Sequence, residues 1–183
     1  ANSVSENSGH DTLKIWPETE KQAFLLDDLH GAPHALQAFA GHVVLVHFFA
    51  TWCEPCVREM ASLQKLADRT HGKPLAIIAI DVAEVDLRVR RFFEKRQVTF
   101  PVLLDRDRSV TKAWKVSALP STFVLAPDLM PRLFVERDLD WSQPDVLAAI
   151  EALYPANTGS AAQSDVPRPA THTTNNPSEE TTR

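Results

Sequence analysis

VVLVHFFATWCEPC, residues 43–56, is the stretch of this chain that indicates most about its fold and chemistry. Its first eight residues are an apolar run interrupted only by His47, which predicts a buried strand. A short loop then leads to Cys53 and Cys56, the only two cysteines among the 183 residues. Two intervening residues let both sulfurs meet at the first turn of a helix, where a disulfide can form and break.

The start of a helix is a favourable place for an ionised cysteine. Its unpaired N–H groups and the positive end of its dipole stabilise a thiolate, which is the reactive form of the thiol. A strand, a short loop and a Cys-x-x-Cys pair that opens a helix are typical of thioredoxin-like redox motifs. The sequence therefore predicts thiol–disulfide exchange by Cys53 and Cys56, and we expect no metal or organic cofactor.

Two other interpretations of the cysteine pair remain open at this point. The pair would suit half of a structural zinc site, but such a site needs four ligands and the chain has no second cysteine pair. It would also suit a purely structural disulfide, although closing so short a loop removes little chain entropy. The preceding strand, Trp52 and Pro55 favour the redox interpretation.

Composition narrows the class of protein further. The net charge of -5 argues against a nucleic-acid partner, because binding to phosphates requires a basic face. The hydrophobic content of 44% is sufficient for a core, and no run of about 18 apolar residues predicts a membrane span. The chain begins at Ala1 rather than at a methionine, so we expect that a signal peptide or membrane anchor has been removed.

The two ends of the chain differ in composition from its middle. Residues 1–12 are rich in Ser, Asn and Glu, and residues 155–183 in Pro, Thr, Ser, Asn and Ala. Such segments cannot bury enough apolar surface to offset the entropy lost on ordering. We therefore expect one α/β domain at residues 13–154, between two disordered segments.

Hydrophobic periodicity and turn residues predict the elements of this domain. The turn residues 30–33 predict an N-terminal β-hairpin, and Ser142 is expected to cap the last helix. A βαβ unit, further helices and a ββα ending predict an α/β sheet covered by helices. The expected strands are 43–49, 75–80, 102–104, 122–125 and 132–135, and the expected helices are 53–69, 85–97, 109–114 and 142 onwards.

Three segments, residues 43–56, 100–105 and 119–123, resemble the TlpA/ResA-like family of thioredoxin-fold proteins. The likeness extends over roughly residues 22–154 and includes the hairpin and the insert. Members of this family are extracytoplasmic thiol–disulfide oxidoreductases of bacteria, membrane-anchored or secreted. The resemblance implies a thioredoxin-like fold, in which helices flank a central mixed sheet and an insert separates the βαβ and ββα parts. It also implies a periplasmic or other extracytoplasmic location, a protein disulfide or dithiol as substrate, and an upstream membrane electron donor.

The resemblance also implies roles for individual residues. Cys53 is expected to be the exposed nucleophile and Cys56 the buried resolving thiol. Pro120 matches the family's cis-proline beside the disulfide, and Glu59 matches an acidic residue that handles protons near the cysteines. The residues expected to contact substrate are Trp52, Glu54, Pro55, Leu119 and Pro120.

Glu59 and His47 are the two candidate proton carriers. Glu59 follows Cys56 by three positions, so both can lie on one helix face; the alternative is a solvated glutamate that stabilises the helix start. His47 stands where thioredoxin has a buried aspartate. An imidazole beneath the helix could accept the Cys56 proton or, when charged, stabilise a thiolate; the alternative is a neutral core histidine.

Three functions of different class are compatible with these features. The resemblance favours a reductase of protein disulfides, as in cytochrome c maturation or copper-centre assembly. A disulfide oxidase or isomerase is an alternative, although no segment between residues 43 and 153 is long enough for the helical insert of strong oxidants. A non-enzymatic metal-delivery protein would need a Cys-x-x-x-Cys pair and a downstream histidine near it, and the chain has neither.

Overall fold

The computed structural model describes residues 13–18 and 20–156. The expectation of disorder for residues 1–12 lies outside this part of the chain, as does most of that for residues 155–183. No helix among the described residues is long and apolar enough to cross a bilayer.

Eight strands and four α-helices make up the regular structure of the described residues. The strands are β1 (Lys14–Ile15), β2 (Leu25–Asp27), β3 (Pro33–Ala35), β4 (Val43–Phe49), β5 (Leu75–Val82), β6 (Val102–Asp105), β7 (Ser121–Leu125) and β8 (Pro131–Val135), and the helices are α1 (Glu54–Arg69), α2 (Asp86–Lys95), α3 (Ser109–Ala113) and α4 (Pro144–Glu151). Six strands form one mixed sheet in the order β1-β8-β7-β4-β5-β6, and β2 and β3 form a separate hairpin.

Strand β4 is the centre of this sheet. It pairs in parallel with β5 on one side and antiparallel with β7 on the other, and all seven of its residues are buried. This position explains the nearly continuous apolar run, because a strand with neighbours on both sides and layers on both faces meets no water. Its side chains alternate between the two faces of the sheet, with Val43, Leu45 and Phe49 in one apolar cluster and Val44, Val46 and Phe48 in the other.

Each face of the sheet is covered by its own set of elements. Helices α1, α2 and α4 share the first cluster, through residues such as Leu63, Phe93 and Ile150. Helix α3, the indole of Trp114 and Leu36 behind the hairpin belong to the second cluster. Because α1 packs with β4 over the first face, the loop that joins them is held at the carboxyl end of the central strand.

The architecture confirms the predicted mixed sheet, the N-terminal hairpin and the insert. The insert consists of α2, β6 and α3, which lie between the βαβ unit (β4, α1, β5) and the ββα unit (β7, β8, α4). Every predicted strand and helix up to β8 is present, with ends that differ by no more than two residues. The short strand β1, which pairs with β8, was not predicted because two residues are too few to show a periodicity.

The predicted start of the last helix is wrong. Helix α4 begins at Pro144, and Gln143 occupies the N-cap position without a capping side-chain hydrogen bond. The Ser142 hydroxyl instead donates to Asp140 Oδ1 at 2.5 Å, so a nearby carboxylate holds the side chain that was expected to cap the helix.

Candidate active site

The first turn of α1 holds both cysteines. Cys53 is the N-cap residue, and its Sγ accepts a hydrogen bond from the Cys56 backbone N–H at 3.4 Å. Pro55 follows inside the first turn, where its fixed φ suits the helix and its missing N–H has no intrahelical partner to lose. Negative charge at this position meets the positive end of the helix dipole, so the geometry favours a thiolate on Cys53.

The two cysteines form a disulfide whose Cα atoms are 5.2 Å apart. Cys53 is 6% exposed and Cys56 is fully buried. The expected burial of Cys56 is confirmed, whereas the expected exposure of Cys53 is wrong for the disulfide form. The reason is that, joined to Cys56, it packs into the apolar cluster between the sheet and α1.

Pro120 lies at the same edge of the sheet as the cysteines. The Leu119–Pro120 peptide bond is cis, as the sequence resemblance implied. Pro120 directly precedes β7, and Ser121 pairs with Phe48 of β4 in antiparallel register. The start of β7 is thus adjacent to the end of β4, where the loop to Cys53 begins.

The residues expected to contact substrate differ in how accessible they are. Trp52 is 69% exposed, and Glu54 is also exposed beside the disulfide. Pro55 and Leu119 are half-buried, and Pro120 is buried. Trp52 is therefore the large apolar side chain that a partner could reach next to Cys53, and substrate contact by this group of residues stays a prediction.

Glu59 is buried, with only 2% of its surface exposed. Its Oε1 accepts a hydrogen bond of 2.6 Å from the Trp141 indole Nε1, and its Oε2 has no partner among the described residues. The alternative of a solvated glutamate is therefore wrong. The contribution of Trp141 was not predicted, because 82 residues separate it from Glu59 and no local pattern links them.

The environment of Glu59 keeps its carboxyl group protonated near neutral pH. Burial, with a smaller contribution from the nearby charge of Asp138, raises its pKa to about 8, despite the lowering effect of hydrogen bonds from Trp141 and the Leu139 backbone. This value is close to the ordinary pKa of a cysteine thiol, about 8.5. Glu59 also lines a cleft that opens between α1 and residues 138–142. Glu59 thus lies on the same helix as the cysteines, beside a cleft that opens to solvent.

His47 is fully buried on β4. Its Nδ1 forms a 2.8 Å hydrogen bond with Thr122 Oγ1 on the neighbouring strand, and its Nε2 has no partner among the described residues. Burial lowers the pKa of His47 to about 3, so the ring is neutral at physiological pH. This arrangement agrees with a neutral core histidine and disfavours a charged imidazole that stabilises a thiolate.

Fold and site together define a class: thioredoxin-like proteins with a Cys-x-x-Cys disulfide at a helix start and a cis-proline beside the same sheet edge. A family model described as the AhpC/TSA family matches residues 17–130, which is more than half of the chain. The chain therefore belongs to the AhpC/TSA family.

Two relatives of this chain carry the same description, thiol-disulfide oxidoreductase ResA. The chain is 38% identical over 102 residues to the thiol-disulfide oxidoreductase ResA of Geobacillus thermodenitrificans, a match that covers 56% of this chain and 59% of the relative. It is 34% identical over 122 residues to ResA of Bacillus thuringiensis subsp. konkukian, which covers 66% of this chain and 70% of the relative. The first of these matches thus spans less than two thirds of the relative's length.

Among solved structures, the fold is similar to that of a putative thiol:disulfide interchange protein DsbE from Chlorobium tepidum. The two share a TM-score of 0.70 at 19% sequence identity, and the alignment covers 79% of this chain and 100% of the other. At this level of identity the likeness confirms the thioredoxin-like fold.

The pH dependence of stability tests the burial of Glu59. Because its pKa rises from an ordinary 4.5 to about 8, the folded state keeps a proton that the unfolded state releases between these values. The stabilisation is complete below pH 4.5 and is lost as the pH rises towards 8, at roughly 1.4 kcal/mol per pH unit from this group. Glu59→Gln should remove this component from urea unfolding of the oxidised protein between pH 5 and 7.5.

His47→Asn is the matched control for that measurement. Its ring is neutral over this pH range, so the variant should keep the wild-type slope of stability against pH, whatever its absolute stability. An unchanged slope in Glu59→Gln would show that Glu59 is ionised in the folded protein at neutral pH.

Proposed function

We propose that this protein is a thiol–disulfide oxidoreductase that reduces disulfides of partner proteins outside the cytoplasm. The observation that carries the proposal is the position of Cys53 at the N-cap of α1, with Cys56 buried one turn behind it and joined to it in a disulfide. Such a pair has one sulfur placed to react as a thiolate and a second placed to resolve the product. The name that the ResA relatives carry supports the same activity.

The reaction is a two-electron exchange in two steps. In the dithiol form, the Cys53 thiolate attacks one sulfur of the substrate disulfide, whose S–S bond breaks, and the other substrate sulfur leaves as a thiolate. Cys56 then loses its proton and attacks Cys53 Sγ, which breaks the mixed disulfide and releases the second substrate thiolate. The protein ends as the Cys53–Cys56 disulfide, and the reverse sequence would oxidise a dithiol.

Substitution of each cysteine in turn tests these roles. Cys53→Ala should abolish reduction of a protein disulfide, because no nucleophile remains at the helix start. Cys56→Ala should instead accumulate a mixed disulfide through Cys53, visible as a mass shift in non-reducing electrophoresis and mass spectrometry. If Cys56 traps the substrate, or is alkylated faster than Cys53 in the reduced protein, the roles are reversed.

Substrate is expected to lie between Trp52 and the cis-proline. Trp52 is exposed beside Cys53, and Pro120 stands at the adjacent edge of the sheet without a backbone N–H. An extended segment of the partner protein beside Pro120 would bring its disulfide towards Cys53. Leu119, half-buried next to Pro120, would border the same segment.

Glu59 is the more suitable carrier for the Cys56 proton. A proton carrier works best when its pKa lies near the operating pH, because both its acid and its base form are then populated, and Glu59 with a pKa of about 8 has an ionised fraction at neutral pH that can accept the proton. His47 with a pKa of about 3 is too weak a base at neutral pH. Glu59 also lines the cleft between α1 and residues 138–142, through which a proton can be exchanged with water.

The pH–rate profile distinguishes the two candidates. Glu59→Gln should shift or remove the inflection near pH 8 in the single-turnover rate of disulfide reduction and slow the resolving step by roughly 10²-fold, a typical effect of losing a general base. His47→Asn should keep the wild-type inflection. Should the Glu59→Gln profile match that of the wild type, water or the substrate carries the proton instead.

The direction of electron flow follows from the sequence resemblance rather than from the site geometry. The resemblance favours a periplasmic or other extracytoplasmic reductase that receives electrons from a membrane donor and serves cytochrome c maturation or copper-centre assembly. Disulfide chemistry is suited to such compartments, where protein thiols become oxidised and dedicated systems must reduce them.

An equilibrium redox titration of the Cys53–Cys56 pair tests this direction. A reduction potential near the roughly -270 mV of thioredoxin, measured against glutathione or dithiothreitol, is expected for a reductase. A potential near about -120 mV would instead indicate an oxidase or isomerase. Cys53→Ala, which cannot form the disulfide, supplies the baseline signal.

A further inference from the structure

Asp81 is a buried carboxyl group that the exchange chemistry leaves unused. It lies near the end of β5, between Phe49 of β4 and Leu104 of β6 in the strand register, and is 1% exposed. Neither of its carboxyl oxygens receives a hydrogen bond of good geometry from a described N–H or hydroxyl group. Ionisation at such a place is costly, so the environment favours the protonated acid.

Glu84, three residues further on, holds the loop that leads to the cysteines. Its Oε2 accepts a hydrogen bond from the Thr51 backbone N–H at 2.8 Å, and its Oε1 accepts one from the Thr51 hydroxyl at 2.6 Å. Thr51 lies between the end of β4 and Cys53, only two residues before the N-cap of α1. Both oxygens of one carboxylate thus fix this turn of the chain.

The two carboxyl groups also interact with each other. Burial, together with the neighbouring Glu84 side chain, raises the pKa of Asp81 to about 9, against a smaller lowering effect of the Glu84 backbone. Burial alone would raise the pKa of Glu84, but its hydrogen bonds with the Asp81 side chain and with Thr51 lower it overall. The pair therefore holds one proton near neutral pH: Asp81 is the neutral donor and Glu84 the ionised acceptor.

The other charged groups around the pair favour the same protonation states of Asp81 and Glu84. Asp86 faces Asp81 from the start of α2, where it forms a 3.0 Å salt bridge with Arg106, and it adds a repulsion that keeps Asp81 protonated. Arg88, on the same helix, supports the ionised form of Glu84.

We propose that Asp81 and Glu84 form a positioning pair for the cysteine loop, in which protonated Asp81 donates to Glu84 and the Glu84 carboxylate holds Thr51 and thereby the approach to Cys53. The same contact also bears on the exposed indole of Trp52, which directly follows Thr51 in the chain. The large apolar side chain next to Cys53 is thus tied to this hydrogen-bonded contact. Only the expected effect of the pair on reaction rates rests on the proposed exchange activity. The pair itself does not depend on that activity or on the direction of electron flow.

A spectroscopic titration tests the pair without any assay of activity. In the oxidised protein, where the cysteines do not titrate, the carboxyl carbon of Asp81 should titrate near pH 9, and the Thr51 amide nitrogen should shift with the same midpoint. Asp81→Asn cannot ionise but keeps a donor for Glu84, so the Thr51 inflection should disappear. Asp86→Asn, the matched control on an acid paired elsewhere, should retain it, and so should Glu59→Gln. Titration of Asp81 below pH 6, or an inflection that survives in Asp81→Asn, overturns the proposal.

A comparison of rates tests the positioning role itself. At pH 7, Asp81→Asn should reduce a protein disulfide within about twofold of the wild-type kcat/KM, whereas Asp81→Ala, which removes the donor, should lose roughly tenfold, the scale of one hydrogen bond to a charged group. Equal rates in the two variants would refute the role. If Asp81→Ala does not fold, the rates of Glu84→Gln and Glu84→Ala, at the half-buried partner, are compared in the same way.

A wild-type protein without exchange activity would refute the proposed function, and the titration would still decide whether the pair exists.

Discussion

Cys53 keeps its place at the start of α1 because the segments on both sides of it are held by the core. Before it, β4 is paired on two sides and buried on two faces, so the end of this strand cannot move independently of the sheet. After it, α1 buries Cys56 and Leu63 in the same apolar cluster. Protein interiors are close-packed, so this anchoring fixes the sulfurs at a helix turn whose free N–H groups favour an anion.

The buried carboxyl groups of the protein differ in how many hydrogen bonds they receive and therefore in their pKa. Asp105 is fully buried and receives hydrogen bonds from the Val110 N–H and from the N–H and hydroxyl of Thr111, so it serves to start α3. Glu59 and Asp81 are nearly as buried but receive fewer donors, and burial raises the pKa of both. The two carboxyl groups with few hydrogen-bond donors, Glu59 and Asp81, are those close to the cysteine loop and to α1. A carboxyl group that stays protonated near neutral pH can exchange or donate a proton there, which a well-solvated one cannot do.

The elements of the fold could be predicted because their signals are local. The apolar run of β4, the periodicity of α1 and the turn at residues 30–33 each occupy one short window, and all three were confirmed. The start of α4 was predicted wrongly, since Ser142 had a closer acceptor in Asp140 than the helix N–H groups. The low exposure of Cys53 was also missed, because it results from packing against residues far away in the chain.

The sequence by itself determined the dithiol, its position at a helix start and the thioredoxin-like architecture, because these follow from residue spacing and hydrophobic pattern within single segments. Only the tertiary structure decided the electrostatics of the site. Trp141 reaches Glu59 across 82 residues, Glu84 reaches Thr51 across 33, and His47 reaches Thr122 across 75. Proton affinities of buried groups depend on such distant partners and on the exclusion of water, and neither is visible before the chain has folded.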